Sequence, residues 1–182
     1  MKGIGAARLV LRAAIGGTMI AHGIKHARSL EGTAGWFSSI GFREPELQAA
    51  ASAVVETGAG VAVLAGAATP LAAAAVVGTM AVAARTVHLP NGFFITGEGY
   101  EYVLNLSAAS VALAAIGPGG FSVDGLLGID EKLSPAQRAA LAAGVGLGAA
   151  ALQLAVFWRP KAEPREPETG QSAQAAPAPA VD

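Results

Sequence analysis

Five apolar runs, each about as long as a lipid bilayer is thick, dominate this chain of 182 residues. A helix needs about 20 predominantly apolar residues to cross a hydrocarbon layer of ~30 Å. The runs cover residues 6–26, 46–65, 70–89, 100–116 and 135–159. They predict an all-α membrane protein: an antiparallel four-helix transmembrane bundle plus a fifth C-terminal transmembrane helix and a disordered tail. Such a protein lies in a lipid bilayer and crosses it several times.

The charge content agrees. Only 14% of the residues are charged, against about 25% in an ordinary soluble domain. The mean hydropathy is +0.49. The 24 glycines and abundant alanines suit helices that approach closely in lipid, where small side chains let backbones meet. A net charge of −1 gives no electrostatic basis for nucleic-acid binding. The absence of cysteine excludes disulfides, thiol nucleophiles, iron–sulfur clusters and covalently attached haem. With only three histidines, no metal site is expected.

Local signals divide the chain. Lys2 and the apolar stretch after it resemble a signal peptide, but Arg8 and Arg12 interrupt the stretch and no small-residue cleavage site ends it, so a retained first span is expected. Arg8 and Arg12, four apart on one helix face, either snorkel to the headgroups or pair inside the bundle, and the reading as topology anchors is favoured. Residues 28–46 read as a polar connection, with Gly32, Gly35 and Gly41 as breakers. Pro45 opens the second span. Thr69-Pro70 reads as an N-cap followed by Pro at N1, so the turn before it is short and spans two and three are antiparallel. Ser134-Pro135-Ala136-Gln137 matches a capping box, and Phe157-Trp158 reads as an interfacial anchor. The expected divisions are a four-helix core over 1–120, an interfacial connection over 121–134, the fifth transmembrane helix over 135–159 and the tail over 160–182. The positive residues near the start favour a cytoplasmic N-terminus.

The ionisable residues are not scattered. His22, Lys25 and His26 close the first run, Glu56 lies inside the second, Arg85 and His88 close the third, and Glu98, Glu101 and Asn105 open the fourth. Alternating helices bring these to one membrane side. Seven of the ten aromatics lie there too: Trp36, Phe37, Phe42, Phe93, Phe94, Tyr100 and Tyr102. Charge inside a span is costly and marks a functional site by default. Glu56, two to three turns deep, needs a partner or a proton, with Arg85 and Lys25 as the natural partners. The competing reading is structural: a buried ion pair that orients helices, core histidines and an aromatic belt.

These residues resemble the DoxX family of small bacterial membrane proteins. The resemblance rests on Arg12, on His22-Gly23-Ile24-Lys25, and on Gly35-Trp36-Phe37 with Gly41. It continues through Glu56 and Gly60, Gly66 with Thr69-Pro70, and His88 with Gly92-Phe93-Phe94. Residues 97–101, and Gly117-Pro118-Gly119 with Ser122 and Asp124, complete the set. It spans about residues 8 to 130. The resemblance implies a four-helix membrane core in the bacterial inner membrane. It also implies a link to membrane redox and oxidative-stress complexes, since related proteins are subunits of thiosulfate:quinone oxidoreductase.

The expected function is a redox-associated membrane subunit, at most part of a quinone-linked oxidoreductase, with a protein partner in a membrane complex. His22, Lys25, Glu56, Arg85, His88 and Glu101 are the candidate hydrogen-bonding and proton-exchanging residues. Trp36, Phe37, Phe93, Phe94 and Tyr100 are the candidates to flank a quinone ring. The alternatives are a non-catalytic scaffold that docks a respiratory or oxidative-stress enzyme, a small proton-coupled carrier, and haem b held between His22 and His88.

Overall fold

The computed structural model describes residues 2–129 and 132–160. Residues 161–182, most of the expected disordered tail, lie outside the described residues, as do Asp130 and Glu131 of the expected interfacial connection. Among the described residues all regular structure is helical: α1 (Lys2–Arg28), α2 (Leu30–Ser39), α3 (Pro45–Ala65), α4 (Thr69–Ala83), α5 (Glu101–Ile116), α6 (Val123–Leu126) and α7 (Pro135–Phe157). After Ala83, α4 continues as a π-helical turn, Ala84–His88, and a 3₁₀ turn, Leu89–Asn91.

Four helical segments are long and apolar enough to cross a membrane: Gly3–Arg28, Pro45–Ala65, Thr69–Asn91 and Pro135–Phe157. The helix α5, expected as a span, has only 16 residues and measures about 24 Å at 1.5 Å per residue. Tyr100 caps its start and Gly117, at φ +75°, ends it.

The helices α1, α3, α4 and α5 form the bundle. The helix α7 lies along α4 and α5, and α2 lies on α3. Small residues set the closest approaches. A Cβ at Gly60 would stand 2.7 Å from the Gly16 carbonyl oxygen and 2.8 Å from the Ile20 nitrogen. Both are backbone atoms, so α1 and α3 meet at this distance only because Gly60 has no side chain. Gly146 does the same for α7, where a Cβ would stand 2.6 Å from the Ala74 carbonyl oxygen. Ile15, Met19, Val63, Val76 and Leu113 fill the centre.

Three local expectations need correction. Residues 30–39 are helical, not an open connection: Ala34 and Phe37 bury against the bundle, and this burial outweighs the helix cost of Gly32 and Gly35, about 1 kcal/mol each. Thr69 does not cap α4. The carboxylate of Asp124 does, accepting from Ala68 N at 2.7 Å and Thr69 N at 2.8 Å and holding Ala68 at φ +44°. Arg12 is not a snorkelling anchor. It is 6% exposed and donates to Leu64 O and Phe121 O, each at 2.6 Å, where carbonyls at a helix end lack partners of their own. Trp158, half-buried at the end of α7, donates from its indole Nε1 to Ile40 O at 2.8 Å. Arg43 N to Phe157 O and Arg159 N to Gly41 O, both 2.8 Å, complete this staple between the end of α7 and the loop after α2. The capping box at Ser134 and Gln137 is present.

Candidate functional site

Antiparallel packing brings the end of α1, the start of α3, the end of α4, the start of α5 and the end of α7 to one side of the bundle. They enclose, with α2, a cavity of about 750 Å³. Its walls are largely apolar, with Trp36, Phe37, Met80, Val103 and Phe157 among them. Polar groups enter from several helices, among them His22 and His26 from α1, Gln48, Ser52 and Glu56 from α3, and Gln153 from α7. A mostly apolar hollow with a few converging polar groups is the usual form of a small-molecule site.

Glu56 is 4% exposed. Its partner is His26, with Nδ1 at 3.2 Å from Oε1. The expected pairing with Arg85 or Lys25 does not form. The guanidinium of Arg85 instead sits 4.6 Å from the centroid of the Trp158 ring, on the exposed side of the π-helical turn. Rotation about the helix decides this: the π turn re-aims the residues at the end of the third span, and such turns recur at functional sites.

The same Nδ1 lies 2.8 Å from Ser52 Oγ. Ser52 donates its own hydroxyl hydrogen to Ala49 O at 3.2 Å, so its oxygen accepts and Nδ1 of His26 carries the proton. His88 has the same tautomer, because its Nδ1 lies 2.6 Å from Glu98 O and a carbonyl only accepts. Both rings therefore spend Nδ1 on the protein, and no hydrogen bond holds Nε2 of either among the described residues. His22 stacks on Tyr102, with centroids 6.3 Å apart and 22° between planes.

The sequence-selected residues divide in two. His22, Lys25, Glu56, His88, Trp36 and Phe37 line the cavity. Arg85, Glu101, Phe93, Phe94 and Tyr100 are not in its lining. Glu101 accepts from Ile95 N at 3.0 Å and so braces the connection before α5. Phe93 packs edge-on against Phe94 and Tyr100, at 5.3 and 5.4 Å. His26 stood in the ionisable cluster but not among the candidate site residues, and Gln48, Ser52 and Gln153 escaped selection altogether. The signal was present, because Gln48, Ser52 and Glu56 recur every four residues and form one polar stripe on α3. Among the described residues no group of three histidine or acidic side chains is placed to hold a metal ion.

A helical bundle with apolar faces of membrane-crossing length and, at one end, a mostly apolar cavity with converging polar groups defines a multi-pass integral membrane protein. Residues 7–89, from α1 through the π-helical end of the third span, match the family model DoxX. Over those residues the chain is similar to the DoxX family. No curated protein and no solved structure matches it.

Proposed function

We propose that this protein is a redox-associated subunit of the bacterial inner membrane and that its cavity binds a quinone head group. The observation that carries this reading is the pairing of half-buried His26 with buried Glu56 on the wall of a roomy, mostly apolar cavity. The donor set fits such a group. The walls exclude water from a ring, Trp36 and Phe37 offer flat faces, and titratable side chains stand where ring oxygens must lie.

When bound, a quinone takes up two electrons and two protons to become the quinol. The chain has no cysteine, and its own side chains form no evident redox centre, so the electrons come from a protein partner that is oxidised. The chain's residues handle protons and position. His26 gives a proton from Nε2 while Nδ1–H stays on Glu56 and Ser52, so the ring donates without losing its orientation. Imidazole and carboxylate suit proton exchange near neutral pH. His88, held through Nδ1 by Glu98 O, presents a second Nε2 to the cavity region.

The test is gentle purification from native membranes, followed by mass spectrometry of extracted lipids and of co-purifying proteins. Near-stoichiometric quinone supports the reading. A stable protein partner with no enrichment of quinone supports the scaffold instead.

A further inference from the structure

The cavity holds a second polar station, one turn along α3 from the Ser52 that bonds His26. The side-chain amide of Gln153, on α7, donates from Nε2 to Gln48 Oε1 at 2.8 Å. Gln48 is 4% exposed. This single bond uses one hydrogen of Gln153 and one lone pair of Gln48. The two hydrogens on Gln48 Nε2 have no protein acceptor among the described residues. Exchanging nitrogen and oxygen in both amides swaps the roles and leaves the same number unspent. Buried polar groups normally find a partner, and both amides line the cavity. The unspent hydrogens of the amide pair are therefore available to an acceptor that enters the cavity.

The spacing says what it is. Gln48 and Ser52 are four residues apart on one face of α3, which separates them by about 6 Å. The second donor is not Ser52 but Nε2 of His26, whose Nδ1 is bonded to Ser52 Oγ, so the two donors can stand farther apart than this, as groups that each bond one oxygen of a six-membered para-quinone ring must. We infer that Gln48 and Gln153 form an amide station that holds one quinone oxygen while His26, on Ser52 and Glu56, addresses the opposite one. This inference rests on the quinone reading and adds an orientation to it. The amides donate hydrogen bonds and have no proton to give up, so the proton from the protein enters at the His26 end, and the amide-held oxygen takes the second proton from water that reaches the cavity. It also gives α7, which lies outside the matched residues 7–89, a direct part in recognition: without Gln153 the Gln48 amide has neither partner nor fixed orientation.

The test uses the full chain in lipid nanodiscs and a short-chain para-quinone carrying ¹³C at one carbonyl. The readouts are affinity and the infrared carbonyl bands. The wild type should bind with two distinct, downshifted bands. The double variant Gln48→Met with Gln153→Met removes both partners while keeping their volume, which leaves folding nearly unaffected. It should bind about tenfold more weakly, the equivalent of one lost hydrogen bond, and one band should return to its free position. His26→Gln should move the other band. The single variant Gln153→Met should lie between wild type and double variant. A double variant with wild-type affinity and both bands unchanged overturns the orientation while leaving quinone binding intact. A wild-type protein that binds no quinone overturns the quinone reading itself, and the orientation with it.

Discussion

His26 Nδ1 lies 3.2 Å from Glu56 Oε1, joining the last turn of α1 to the interior of α3. Glu56 thus meets a group that can itself gain and lose a proton, and not the permanent charge of Arg85. A double-mutant cycle in detergent should show this. His26→Gln and Glu56→Gln should couple by about 1 kcal/mol or more, as contacting residues do. Arg85→Gln and Glu56→Gln should be additive. Thermal unfolding of the single and double variants provides the check.

The close approach of α1 and α3 depends on Gly60. Gly60→Val should cost at least about 2 kcal/mol, because the added atoms meet backbone that moves only if the helices separate. Gly58 is the control, since a Cβ there meets nothing within 4 Å, and Gly58→Ala should be neutral or stabilising by up to about 1 kcal/mol. Unfolding temperatures in one detergent separate the two.

At the other end of the bundle, Asp124 bonds two backbone amides at the start of α4. Asp124→Asn puts an NH₂ group against one of them and should cost about 2 kcal/mol. Arg12→Lys loses the planar fork that reaches Leu64 O and Phe121 O together and should cost a similar amount, about 2 kcal/mol. Both losses should appear in thermal unfolding and yield, with wild-type quinone affinity in the folded fraction.

Much of the architecture was legible because a bilayer-length apolar run has few alternatives. The polar partners were harder to read. Arg8 and Arg12 looked like headgroup anchors because their acceptors are backbone carbonyls, which every residue carries and no pattern marks. Arg8 donates to Ile116 O and Arg12 to the ends of the loops around it. The helix α2 was hidden by Gly32 and Gly35, although Ala34 and Phe37 are spaced to share its buried face. The Glu56 partner was misread because depth alone was compared. The π turn at Ala84–His88 changes the rotation of everything after it, and nothing in the residues announces it. The stripe of Gln48, Ser52 and Glu56 was readable at four-residue spacing and would have pointed to the cavity wall directly.

The central claim is that the His26–Glu56 cavity binds a quinone ring beside Trp36. The most direct measurement is titration of a short-chain quinone into the purified protein in nanodiscs, read by tryptophan emission. Trp36 lines the cavity and Trp158 does not. The account predicts saturable quenching in the wild type. It predicts loss of most of that quenching in Trp36→Leu, and saturation at about tenfold higher quinone in Glu56→Gln. Linear, non-saturating quenching that is the same in wild type and Glu56→Gln would contradict it.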